Sequence, residues 1–123
     1  MIDIICPVCS ESLTEKEKSY ICKNGHCFDK AKEGYVNLLI GKHKSGSEIG
    51  DNKDMAQNRR EFLSKGYFDA LVRGIIRYIN ELSSPRTDIA DICCGEGYYG
   101  HRIKEEIDCN MVGFDISKEI EDV

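Results

Sequence analysis

The residues best suited to chemistry stand near the start of this 123-residue chain, in Cys6-Pro7-Val8-Cys9 and Cys22-Lys23-Asn24-Gly25-His26, with twelve residues between the two groups. Two tight ligand pairs joined by a short excursion suit a tetrahedral zinc site. Each pair grips the ion from one turn, and the excursion lets the second turn face the first. Pro7 stiffens the first turn, and Asn24-Gly25 tolerates the left-handed backbone of the second. Three thiolates and one imidazole are soft or borderline donors, matched to Zn²⁺ rather than to a hard cation. The expected ligands are Cys6, Cys9, Cys22 and His26. Cys27 is the alternative fourth donor, but C-x3-H is the tighter loop and lies in the usual range for a Cys/His pair. A disulfide is the competing use of these thiols. Met1 to Ile5 is short, carries Asp3 and leads into no long apolar run, so it is not a secretory signal. A cytoplasmic, reducing setting is therefore expected, where paired cysteines more often hold metal.

A second constellation lies near the other end. Gly95-Glu96-Gly97-Tyr98-Tyr99-Gly100 is a G-x-G-x-x-G turn, and Asp115 follows where a ribose-binding acid belongs. Pattern alone would predict a dinucleotide. A pyrophosphate, however, needs bare amides at a helix N-terminus. Here Asp91 precedes the first glycine by four residues and Glu96 sits inside the loop. Two carboxylates would repel a pyrophosphate and would suit a ligand bearing an ammonium and a sulfonium, such as S-adenosylmethionine. Asp115 would take the ribose hydroxyls, and Gly95 and Gly97 would let the backbone approach closely. The plain alternatives are an ordinary strand–helix connection and, for Asp91, a satisfied acid at a strand end.

The elements that must position these residues can be read in order. Glu11–Ser19 is polar and reads as a loop or short hairpin, and Tyr20–Cys22 as a strand feeding the second knuckle. A module of this size cannot bury enough apolar surface alone, so zinc would substitute for a core. Phe28–Leu39 reads as a packing strap over the site; its functional reading is a basic-aromatic face for single-stranded nucleic acid, with Tyr35 stacking and Lys30 and Lys32 on phosphate. Gly41–Lys53 is a linker, with Lys42-His43-Lys44 a small basic cluster within it. The expected organisation is thus a zinc module over residues 1–40, a linker over 41–53, and a second domain from 54 to 123.

Asp54 can cap a helix running to about Lys65, with Gly66 as its stop. Phe68, Leu71, Val72, Ile75, Ile76 and Ile79 give a second helix one apolar face, and Ser83-Ser84-Pro85 ends it. Ile89–Cys93 and Met111–Asp115 read as strands flanking a helix from Tyr98 to Glu106, one βαβ unit with a parallel pair. Ser117 can cap a further helix, with Glu119 and Glu121 near its positive end. Cys93, Cys94 and Cys109 read as buried small hydrophobes. The fold class is α/β.

Composition narrows the partners. No apolar stretch approaches the roughly 20 residues of a membrane span. The net charge of −5 is uneven: residues 1–44 carry +1 and the remainder −6, so the zinc module is the mildly basic part, although +1 alone does not decide for a polyanion partner there.

These residues resemble a known family. Asp91-Ile92-Cys93-Cys94-Gly95-Glu96-Gly97 looks like the first motif of class I S-adenosylmethionine-dependent methyltransferases. The zinc module, with Phe28-Asp29 and Lys32–Leu39, is similar to that of the bacterial 23S rRNA guanine-N1 methyltransferases. So is the run Gly50-Asp51, Met55, Arg59-Arg60, Phe62-Leu63 and Gly66. The resemblance implies a zinc ribbon followed by the opening of a Rossmann-like methyltransferase domain: two helices and one βαβ unit of a larger sheet. It implies zinc on Cys6, Cys9, Cys22 and His26, and S-adenosylmethionine contacts from Asp91, Gly95, Glu96, Gly97, Asp115 and Phe68. It also implies that the zinc module grips a hairpin loop of 23S rRNA, and it admits a homodimer of the full-length enzyme. Methyl transfer to guanine N1 needs a base for the N1 proton and a target held out of pairing; no catalytic residue is assigned, and His101 reads as a surface residue. Cys93 departs from the motif, which has glycine there, and could crowd the methionine end of the cofactor. With two strands of the sheet present, weak or absent cofactor binding and no turnover are expected of an N-terminal fragment, and a noncatalytic zinc-dependent RNA-binding module is the alternative.

Overall fold

A computed structural model describes residues 2–41, 50, 52–82 and 87–117. The chain divides into two compact units, one within residues 3–47 and one within 48–121.

The N-terminal unit is an antiparallel sheet built around two turns. Its strands are β1 (Leu13–Glu15), β2 (Ser19–Cys22) and β3 (Cys27–Asp29), in the order β1-β2-β3. Leu13 pairs with Cys22 and Ile21 with Cys27. The expected hairpin between the knuckles is β1–β2, and its polar strand residues face solvent. The first turn closes with the Ser10 N–H on the Cys6 carbonyl (2.8 Å), the second with the Gly25 N–H on the Cys22 carbonyl (3.0 Å). Buried Cys6, Leu13 and Cys22 form the core, with Ile4, Cys9, Tyr20, Phe28 and Leu38 packed around it. The strap therefore splits its roles: Phe28 and Leu38 turn inward, whereas Tyr35 and Leu39 are exposed. Lys30 is engaged, paired with Glu15 at 2.5 Å and lying over the Tyr20 ring.

The second unit contains α1 (Lys53–Ser64), α2 (Asp69–Leu82), β4 (Thr87–Ile92), α3 (Tyr98–Glu106) and β5 (Cys109–Phe114). The cap of α1 is Asn52, not Asp54: the Asn52 Oδ1 accepts the Met55 N–H at 2.9 Å, and Asp54 lies in the first turn, where its charge still complements the helix dipole. Gly66 stops α1 as expected, its N–H returning to the Leu63 carbonyl. On α2, Val72 and Ile76 are buried and Ile75 and Ile79 partly so, while Leu71, and Phe68 just before the helix, are exposed, a narrower apolar stripe than the periodicity suggests. Arg102 of α3 ties the two helices by pairing with Asp69 at 2.7 Å, which holds the Asp69 carboxyl below the usual range.

Strands β4 and β5 are parallel, with Ile89 opposite Met111 and Ile92 opposite Phe114. Both begin two residues before the expected starts, because Asn110 donates across the pair to Asp88 (2.8 Å) and extends the ladder through polar residues. Both end one residue sooner. Cys93 adopts φ +62° and leaves the ladder, and Asp115 turns its carboxylate to the loop. One face of the pair, through Ile89, Cys109 and Met111, packs with α2 and α3 around Val72, Ile76 and Ile103. The other leaves Ile92 and Phe114 exposed. The linker cluster Lys42–Lys44, the Ser83–Pro85 stop, Asp51, and Glu119 and Glu121 lie outside the described residues. Among the described residues no helix is long and apolar enough to cross a membrane.

Candidate functional site

The first site gathers Cys6 and Cys9 from one turn with Cys22 and His26 from the other; their donor atoms all lie within 4.8 Å of one another. Zinc–ligand distances of about 2.3 Å to sulfur and about 2.0–2.1 Å to nitrogen separate tetrahedral donors by about 3.8 Å for two sulfurs and about 3.6 Å for sulfur and nitrogen. The Cys9 and Cys22 sulfurs stand 3.7 Å apart. The His26 Nδ1 lies 3.6 Å from the Cys6 sulfur and 3.4 Å from that of Cys22. The donor set and its spacing fit zinc. The cluster includes His26 rather than Cys27, because β3 starts at Cys27 and alternation points Phe28 into the core and Cys27 outward, exposed and 3.9 Å from the Asp29 Oδ1. The Glu11 backbone N–H, followed by the Asn24 side chain, draws the Cys9 thiol down to about 6, toward the thiolate a metal needs. Burial pushes the Cys6 thiol up.

The second site is a cleft of about 410 Å³ over the glycine turn, walled by Arg59 and Leu63 of α1, the Cys93–Glu96 loop and Asp115. Asp115 organises the loop. Its Oδ2 accepts the Gly95 N–H at 2.8 Å and its Oδ1 the Ser117 N–H at 2.7 Å. Glu96 pairs through Oε2 with the Arg60 Nε, while Glu96 Oε1 is buried and has no hydrogen-bond partner. Gly95 (φ +56°) and Gly97 (φ +76°) occupy left-handed backbone, and Gly97 serves as the N-cap of α3. Glycine at position 95 is required by conformation rather than by close approach, since a Cβ there would meet nothing within 4 Å.

Of the residues singled out for the cofactor, Gly95, Glu96 and Asp115 line the cleft. Asp91 sits behind the loop against the α3 glycine, with Oδ2 3.4 Å from where a Gly100 Cβ would stand. Desolvation, then the Asp115 charge, pushes its carboxyl up. Phe68 lies away from the cleft lining, its ring edge-on to Phe62 at 5.8 Å. Cys93 is exposed rather than buried, because its left-handed backbone lifts it out of the strand. Arg60 was not legible as a site residue: 36 residues separate it from Glu96, and no local pattern joins them. Ser117, expected as the cap of a helix that lies outside the described residues, braces Asp115 through its backbone N–H.

Comparison with known proteins gives the lineage. The family described as RlmA, N-terminal, a zinc ribbon, matches residues 4–47. A 23S rRNA (guanine(748)-N(1))-methyltransferase of Streptomyces fradiae is 33% identical over 117 residues, 92% of this chain and 40% of the relative. A Micromonospora griseorubida protein that carries the name of a 23S rRNA (guanine-N(1)-)-methyltransferase is 40% identical over 68 residues, 52% of this chain and 22% of the relative. The chain is thus similar to the N-terminal part of 23S rRNA (guanine-N1) methyltransferases, with a zinc ribbon of the RlmA type over residues 4–47. It spans less than half the length of either relative.

Two outcomes follow from these sites. Cys22→Ser should abolish stoichiometric zinc binding and melt the β1–β3 sheet, since metal binding in such modules supplies roughly 10–16 kcal/mol at neutral pH; Cys27→Ser should keep both. Elemental analysis and amide NMR spectra of the two variants check this, and loss of zinc in Cys27→Ser would contradict the ligand set. Cys93→Gly should stabilise the second unit by about 0.5–1 kcal/mol, the relief of a left-handed non-glycine residue less the added chain entropy. Denaturant unfolding followed by helical circular dichroism measures it, and a destabilised variant would show that the Cys93 side chain makes compensating contacts.

Proposed function

We propose that this chain is the zinc-ribbon and cofactor-loop portion of an S-adenosylmethionine-dependent methyltransferase acting on guanine N1 of 23S rRNA. The observation that carries the reading is the alignment of 92% of the chain with the Streptomyces fradiae enzyme. The chemistry of the cleft agrees with it. Asp115, held by two backbone amides, keeps lone pairs for ribose hydroxyls, and Glu96 offers an unsatisfied oxygen to a hydrogen-bond donor. Asp91, Glu96 and Asp115 together disfavour a pyrophosphate at this turn. S-adenosylmethionine, when bound, supplies an electrophilic methyl group on a sulfonium. Cys6, Cys9, Cys22 and His26 would hold a structural zinc ion that shapes the ribbon for an RNA hairpin loop, with exposed Tyr35 and Lys32 as the stacking and phosphate contacts. His101 is exposed on α3, and no residue is assigned as the base for the guanine proton.

The exposed apolar face of β4 and β5 leaves the cleft thinly supported, so cofactor affinity should be low, with Kd roughly 0.1 mM or weaker. No methyl transfer is expected from residues 1–123 alone. Amide NMR titration of the zinc-loaded chain with S-adenosylhomocysteine should shift the Cys93–Gly97 and Asp115 signals saturably, while NADH at equal concentration should not. Shifts with NADH alone would replace the methyltransferase reading with a dinucleotide one. Binding of an RNA hairpin, weakened steeply by salt, without either small ligand would favour a noncatalytic zinc-dependent RNA-binding module.

A further inference from the structure

Among the described residues, Glu96 Oε1 is the one buried side-chain nitrogen or oxygen without a hydrogen-bond partner. A buried carboxylate oxygen in that state is costly, and native structures rarely leave one without a reason. Glu96 is the central residue of the glycine turn, and its side chain is only 15% exposed. Its other oxygen is held by Arg60, which reaches across from the C-terminal half of α1 rather than from the loop itself. Arg60 therefore does two things. It neutralises part of the charge that Asp91, Glu96 and Asp115 bring to this turn, and it fixes one end of the Glu96 carboxylate. Glu96 lines the cleft, which leaves its unpartnered oxygen as an acceptor for a ligand donor seated there.

We propose that Arg60 is a positioning residue that holds Glu96 ready to accept a hydrogen bond from the ammonium group of an amino-acid-bearing nucleoside. The inference rests on the S-adenosylmethionine reading of the cleft and goes beyond it by naming the residue outside the loop that positions Glu96. An ammonium is a donor and a cation, so it satisfies the buried oxygen and offsets the remaining negative charge at once. A nucleoside lacking that group leaves Oε1 unsatisfied.

The test is a set of amide NMR titrations of the zinc-loaded chain with S-adenosylhomocysteine and with 5′-methylthioadenosine, which lacks the amino-acid end. The parent protein should prefer the first ligand. Arg60→Met and Glu96→Gln should each weaken it about 10-fold, as expected for a hydrogen bond between charged groups, and leave 5′-methylthioadenosine within about 2-fold. The double variant should be no weaker than Glu96→Gln, because the two residues act as one unit. Arg60→Lys should recover part of the loss. Equal weakening of both ligands in Arg60→Met would assign Arg60 to the fold alone and overturn the inference. So would unchanged S-adenosylhomocysteine binding in Glu96→Gln, which would leave the methyltransferase reading intact. A parent protein that binds neither ligand overturns the inference for this chain and leaves it a zinc-bearing RNA-recognition piece, without removing its similarity to the methyltransferases.

Discussion

The core of the N-terminal unit is its metal site. Of the buried residues at its centre, Cys6, Leu13 and Cys22, two are thiols of the donor cluster, and the partly buried Cys9 packs against them. Three short strands cannot bury enough apolar surface to stand alone, so the ion takes the place that a cluster of aliphatic side chains holds in a larger domain. The rest of the unit follows from that constraint. The knuckle turns close on the Cys6 and Cys22 carbonyls, β2 ends on a ligand, and β3 begins immediately after one. Phe28 and Leu38 then cover the cluster and leave Tyr35 outside it.

The second unit uses ordinary burial instead. Val72, Ile76 and Ile103 join α2 and α3 to one face of a parallel strand pair. What burial does not determine is the shape of the glycine turn. Charge does: the Asp115 carboxylate receives two backbone amides, and Arg60 restrains Glu96 from α1. Three carboxylates around one turn make a poor seat for a pyrophosphate and a good one for a cationic ligand; burial first, and the Asp115 charge second, push the Asp91 carboxyl up. The left-handed Cys93 sits at the entry to this turn, where a residue without a Cβ would fit with less strain.

Local chemistry made much of this legible in the sequence. Ligand pairs two and three residues apart announce a metal, because the spacing within a knuckle is itself the geometry of the site. The Gly95–Gly100 turn is equally local, and so is the apolar stripe of α2. The features that were hidden depend on distance or on competition between near-equal options. Asn52 and Asp54 are both good caps, and only the backbone path selects Asn52. The strand ends moved because Asn110 and Asp88, polar residues that do not look like strand, satisfy one another across the pair. Cys93 reads as apolar, yet backbone geometry rather than hydrophobicity decides where it points. Arg60 gains its meaning only when α1 lies beside the loop.

The claim on which the N-terminal unit rests is that its core is a zinc ion held by three thiolates and one imidazole. Zinc K-edge X-ray absorption on the metal-loaded chain tests it most directly. The expected first shell has three sulfurs at about 2.3 Å and one nitrogen at about 2.0 Å. A four-sulfur shell, with Cys27 in the place of His26, or a shell of light atoms alone would contradict it.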